Sequence, residues 1–172
     1  MTLTFIKIIL SSILMAIGYG ILHDLVTAHL CIEYFTIGHP KIIQSESPIA
    51  LAFFWGTIAT WWVGLPMGTL IACFSQLGKY PKLTFREAIQ MILQLILVMF
   101  SLALIAGIIG FTLTEVRIIQ LTPRLSDIIE PAQHSKFLAA GWAHGASYLI
   151  GIIGTAVLCR KIHVKRKRHS TQ

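Results

Sequence analysis

The stretch AIQMILQLILVMFSLALIAGIIGFTLT, residues 88–114, holds no charged side chain. At about 1.5 Å rise per residue a helix of this length spans about 40 Å, more than the ~30 Å hydrocarbon core of a bilayer. It lacks the period-two alternation of a membrane strand and far exceeds the ~10 residues such a strand uses. A helix also satisfies its own backbone groups in lipid, where water cannot. Residues 88–114 therefore read as a membrane-spanning helix.

Three more runs match this one. Residues 2–22 are broken only by Lys7, whose amine can reach back to the near interface; Pro48–Leu77 and Phe137–Cys159 carry no Lys, Arg, Asp or Glu. Composition agrees, with 55% hydrophobic and 12% charged residues and a mean hydropathy of +0.75. The connections are too short for a soluble domain. The expectation is an all-α, four-helix transmembrane bundle forming one integral membrane domain over residues 1–172, with the first helix able to extend to residue 35. Pro66 should kink the second helix. A cleavable leader made from Lys7, the Ile8–Ala16 run and Gly18 is the competing reading of the N-terminus.

Charge sets an orientation. Lys79, Lys82 and Arg86 lie between the second and third runs, and Arg160, Lys161, Lys165, Arg166, Lys167 and Arg168 follow the fourth, in a basic tail over residues 160–172. By the positive-inside rule both termini are cytoplasmic. The formal charge of +7 then calls for anionic lipid headgroups beside the tail; no stacking aromatics or nucleic-acid motif accompany it, which argues against a nucleic-acid partner. Cys31, Cys73 and Cys159 form no C-x-x-C pair and fall at opposite ends of the runs, so thiol-oxidising chemistry is not expected.

The opposite ends of the runs collect Asp24, Glu33, Glu46, Glu115, Asp127 and Glu130, with His23, His29, His39, His134 and His144. His144 lies about 12 Å along the fourth helix from Lys136, a depth at which an imidazole should face protein or water. It shares a side with Ser147, Tyr148 and Gly151. Helical spacing also places Ser12, Ala16, Tyr19, Gly20, His23, Thr27 and Tyr34 on one stripe, with Asp24 a quarter-turn away. Small residues at Gly56, Thr60, Gly64 and Gly68, and at Gly141 and Gly145, predict close helix packing.

Imidazole and carboxylate are transition-metal ligands, so His23, Asp24, Glu33 and His144 are the candidate divalent-metal set. Thr27, Tyr34, His39, Ser147 and Tyr148 complete the polar neighbourhood. The pattern is neither H-E-x-x-H nor the paired E-x-x-H of a di-iron bundle. Haem, clamped by His23 and His144, is a weaker reading because no second histidine pair follows toward the cytoplasm. His29 falls away from Thr27 and is expected at the interface.

The segments HDLVTAHLCIEYFTIGHP, residues 23–40, and GWAHGASYLIG, residues 141–151, resemble a group of small uncharacterised bacterial multi-pass membrane proteins. That group is marked by a His-Asp followed by Glu-Tyr-Phe-Thr-Ile-x-His-Pro. The resemblance implies a protein of the bacterial inner (plasma) membrane and points to His23, Asp24, Thr27, Glu33, Tyr34, His39 and Pro40, and to His144. Where the group has arginine this chain has His29, which departs from the pattern. No activity comes with the resemblance.

Two function classes follow. One is a metal-dependent enzyme at the outer interface, where an activated water attacks a lipid-borne ester or amide. The other is a small carrier or an accessory subunit, docking to a membrane partner or to further copies of itself through its small-residue faces. A short interfacial helix around Leu125–Ile129, between Pro123 and Pro131, is expected to lid the cluster.

Overall fold

A computed structural model describes residues 3–170, and no strand occurs among them. The helices are α1 (Leu3–Leu30), α2 (Glu33–Thr36), α3 (Pro48–Ile58), α4 (Trp61–Gln76), α5 (Phe85–Glu115), α6 (Pro123–Ser126) and α7 (His134–His169). A 3₁₀ turn at Pro131–Gln133 leads into α7. Four stretches are long and apolar enough to cross a membrane: Leu3–Leu30, Pro48–Gln76, Phe85–Glu115 and Pro131–His169. Thr2 of the expected first span, and Thr171 and Gln172 of the expected tail, lie outside the described residues.

The helices outrun the apolar runs that announced them, for local reasons. Thr84 caps α5: its hydroxyl accepts from the Glu87 backbone N–H at 3.3 Å, and the Glu87 carboxylate accepts from the Thr84 N–H at 2.9 Å. This reciprocal box pulls the charged Arg86 and Glu87 into the first turn. The basic stretch after Cys159 stays helical to His169, as cations near a helix C-terminus favour. α1 continues past Leu22 because its polar residues have a buried face to occupy.

The second crossing departs from expectation. It breaks at Ala59–Thr60, and Pro66 sits inside α4. At the break the Thr60 hydroxyl donates to Gly56 O, supplying from a side chain the bond that a continuous helix would take from the Thr60 amide.

Burial is inverted relative to a water-soluble helix. On α1, Ser12, Tyr19, His23, Asp24 and Thr27 are buried while Leu10, Leu14, Leu22 and Val26 are exposed. Polar side chains inside and leucines outside is the arrangement lipid demands. α1 packs against α3 and α4, and α5 against α7; narrower contacts join α4 to α7 and α1 to α5.

Glycines set the first pairing. A Cβ on Gly56 would lie 2.5 Å from Ile21 N, and one on Gly68 would lie 2.5 Å from Ser12 Cβ. In the second pairing, a Cβ on Gly110 would meet Trp142 Cγ at 2.7 Å. The expected Gly141–Gly145 pair does not do this work: a Cβ on Gly145 would meet nothing within 4 Å, and one on Gly141 only Tyr34 Cε2 at 3.9 Å.

Apolar clusters sit at both ends. At the basic end Phe5, Ile8, Ile71, Ala72, Ile92, Leu158 and Ile162 pack together. There the buried Arg166 donates from Nε to Pro81 O at 2.7 Å and from Nη2 to Leu77 O and Tyr80 O at 2.8 Å each, and its Nη1 donates to Phe74 O. The guanidinium thus satisfies carbonyls that the end of α4 leaves unpaired. Lys165 pairs with Glu87 at 2.6 Å. Part of the tail expected to face headgroups is therefore turned inward, because a helix end supplies acceptors nearer than any lipid. At the histidine end, two clusters form around Phe35, Leu51 and Trp55 and around Cys31, Ile129 and Phe137.

The glycine geometry has a direct check. Gly56→Val forces a side chain into the α1 backbone and should cost roughly 1–3 kcal/mol or more of stability. Gly145→Val meets open space and should stay within about 0.5 kcal/mol. Thermal unfolding of both variants in detergent reads the difference.

Candidate functional site

α1 and α7 each bring one polar turn to the same level. His144 Nε2 donates to Asp24 Oδ1 at 3.0 Å, and its Nδ1 lies 2.9 Å from Ala140 O, one turn back on its own helix. His23 Nε2 is 3.3 Å from His144 Nδ1, with the rings edge to face and their centroids 4.4 Å apart. His23 and Asp24 are 9% and 5% exposed. One ligand atom from each of His23, Asp24 and His144 falls within 4.8 Å of the others.

Tyrosines frame this triad. The Tyr34 ring lies 4.6 Å from that of His144, and Tyr19 stacks on His23 at 5.7 Å. Ser147 donates to Ala143 O at 2.9 Å, so the 2.6 Å contact between Tyr19 Oη and Ser147 Oγ has tyrosine as its donor.

The segment after α1 folds back to cover the triad. Gly38 passes so close to the Tyr34 carbonyl that a Cβ there would lie 2.5 Å from it, and 3.0 Å from Phe137 Cζ. The turn it permits delivers His39, whose Nδ1–H donates to Tyr34 O at 2.8 Å. The His39 ring packs on Trp55 at 4.6 Å and on Phe35 at 5.2 Å.

Of the expected metal set, His23, Asp24 and His144 converge and Glu33 does not. The Glu33 carboxylate instead accepts from Cys31 Sγ at 3.3 Å, because α1 ends at Leu30 and α2 starts a new direction. Burial, with that bond to Glu33, pushes the Cys31 thiol up to about 12. Ser147, Tyr148, Tyr34 and His39 line the same cavity as the triad. Thr27 is outside that cavity, its hydroxyl spent on His23 O at 3.1 Å. His29 is exposed and bonded to Leu25 O within its own helix.

The lid is also relocated. The α6 region places Leu121 and Ile129 against Cys31 and Phe137, while the cover over the triad comes from Tyr34, Phe35 and His39. The His23 and His144 rings, the pair considered for haem, are in direct edge-to-face contact. The Tyr19–Ser147 bond and the cavity walls Met67, Met99 and Thr155 were not singled out by sequence as site groups; of these only Thr155, on the row of Gly151, had a positional cue.

The cavity runs from His39 at one end to Ser12, Ile71, Ile92 and Thr155 at the other, between the α1–α3–α4 and α5–α7 pairings. Its volume is about 150 Å³. Thr155 Oγ1 is buried there without a hydrogen-bond partner.

Comparisons with models of known families, with curated proteins and with solved structures return no match.

Burial lowers the His39 pKa, opposed by its bond to Tyr34 O and modulated by His144 and Asp24. The unfolded chain therefore binds the proton more readily, so stability is full above the unfolded value of about 6.5 and is lost progressively as pH falls from there through the lowered folded value. The melting temperature should drop on acidification, and drop less in His39→Phe, which keeps a ring on Trp55 but takes up no proton. Equal acid sensitivity in both proteins would assign the effect to another group.

Proposed function

We propose that this chain is a membrane-integral metal-dependent hydrolase of the bacterial inner membrane, with His23, Asp24 and His144 holding a divalent transition-metal ion. The observation that carries this reading is the convergence of two imidazoles and one carboxylate from two helices. Such a donor set suits zinc-like ions and leaves a coordination position open. An ion held there by His23, Asp24 and His144 would supply an activated water and polarise a carbonyl. The chain's own groups do the rest. Tyr34 and Tyr148 border the site as hydrogen-bond donors for a substrate oxygen, the aromatic cover of Phe35, His39 and Trp55 limits water, and Tyr19 with Ser147 fixes the ring of His23 from behind.

The substrate class is a lipid-borne ester or amide, since an amphiphile presents its polar linkage where a cluster sits about 10 Å below the end of α1. We further infer that both termini are cytoplasmic, from the Lys and Arg around Lys79–Arg86 and after Cys159, which puts the histidine end outside. Reporter fusions at either terminus should be active only as cytoplasmic reporters.

Purified in detergent and dialysed against trace zinc, the protein should retain the ion at one site per chain. His23→Ala and His144→Ala should each lose it, by elemental mass spectrometry. One observation favours a second reading. His144 is already satisfied by Asp24 and Ala140, so a buried histidine here needs no ion, as in a carrier or an accessory subunit. Metal-free protein of ordinary stability would select that reading.

A further inference from the structure

The cavity is longer than the triad needs. From Asp24 to Ser12 along α1 it extends about 18 Å, close to one leaflet of a ~30 Å hydrocarbon core. Beyond the histidines its walls are mainly apolar, with Val63, Met67, Ile96 and Met99 among them. Gly151 keeps it open: a Cβ there would meet Met67 Cε and Met99 Cε, each at 3.3 Å. Two methionine tips are an adaptable lining for a chain of variable shape. Thr155 Oγ1 borders the same space without a protein hydrogen-bond partner.

Apolar clusters pack at the basic end and around α2 at the other. A second depression, about 260 Å³, lies between α1, α5 and α7, bordered by Val26, Leu30, Ala103, Gly107, Ala140 and Ala143. Val26 and Leu30 are 58% and 43% exposed, so in a bilayer this face touches lipid. His23 lines both spaces.

We propose that the long cavity takes one acyl chain of a bilayer lipid, which reaches it sideways through the α1–α5–α7 depression and leaves its polar linkage at His23, Asp24 and His144. The lining is apolar over most of its length, against hydrocarbon, and polar at the triad, against the linkage. A hydrocarbon chain also recovers the dispersion contacts that an apolar void forfeits. The proposal rests on the metal-site reading only for which end of the lipid lies at the histidines.

The test is photocrosslinking in nanodiscs with a phosphatidylcholine that carries a diazirine at the end of one acyl chain. Peptide mapping should place crosslinks on Met67, Ile96, Met99 and Thr155. Gly151→Leu and Ile96→Phe narrow the cavity from α7 and from α5, and each should reduce those inner crosslinks roughly tenfold, about 1.4 kcal/mol, within the usual effect of overpacking. Two variants guard against one that fails to fold. Crosslinks confined to outward-facing Leu93, Leu97 and Ile105, unchanged in both variants, would overturn the proposal. Bound zinc measured on the same samples separates the two readings: inner crosslinks with no zinc keep the chain site and remove the metal site, and zinc with only outward crosslinks does the reverse.

Discussion

A carboxylate at membrane depth has to find a partner inside the protein, and the Asp24–His144 contact at 3.0 Å is how this chain meets that requirement. It fixes the rotation of α1, since burying Asp24 buries His23 beside it and the Ser12–Tyr19–Thr27 face with it. It fixes α7 in the same way, turning Ser147, Gly151 and Thr155 inward. Once both polar faces point at each other, the leucines of α1 and the isoleucines of α7 are left for lipid. The cavity between the two helix pairings follows from this. Short side chains line α4 and α7 where larger ones would have filled the gap.

The two ends of the molecule are held by different chemistry. At the basic end a single guanidinium gathers four carbonyls from the end of α4 and the loop beyond, and hydrogen bonds to a charged donor are worth about 1.5–3 kcal/mol each. At the histidine end the closure is aromatic, with Tyr34, Phe35, His39 and Trp55 packed ring on ring. One end is pinned by directional bonds and the other by stacked surfaces.

Much of this was legible from residue types. Four uncharged or nearly uncharged runs sufficed for four membrane-length helices, and the helical spacing of Ser12, Tyr19, His23 and Thr27 was enough to place one face of α1 inward. His144 was conspicuous for depth alone. What spacing could not supply was direction after a helix ends: Glu33 lies nine residues past Asp24 in sequence yet turns to Cys31, because α1 stops at Leu30 and α2 sets out afresh. Nor could it tell which of several glycine pairs meets a neighbour. Gly56 and Gly68 do, Gly145 does not, and only the crossing point of two helices decides that. Pro66 was the expected source of a bend, but the break came at Thr60, where a hydroxyl can stand in for an amide.

That break gives the second crossing an articulated character. Pro48–Ile58 and Trp61–Gln76 are two short rods joined where Thr60 bonds Gly56 O, so the joint leaves that carbonyl satisfied. The far rod is anchored through Arg166, whereas the near rod carries Trp55 under His39. The near rod also lies directly on the α1 backbone, where a Cβ on Gly56 would come within 2.5 Å of Ile21 N. One transmembrane passage is thus held in two places by two means, a guanidinium on carbonyls at the basic end and a glycine against the α1 backbone at the level of the cavity.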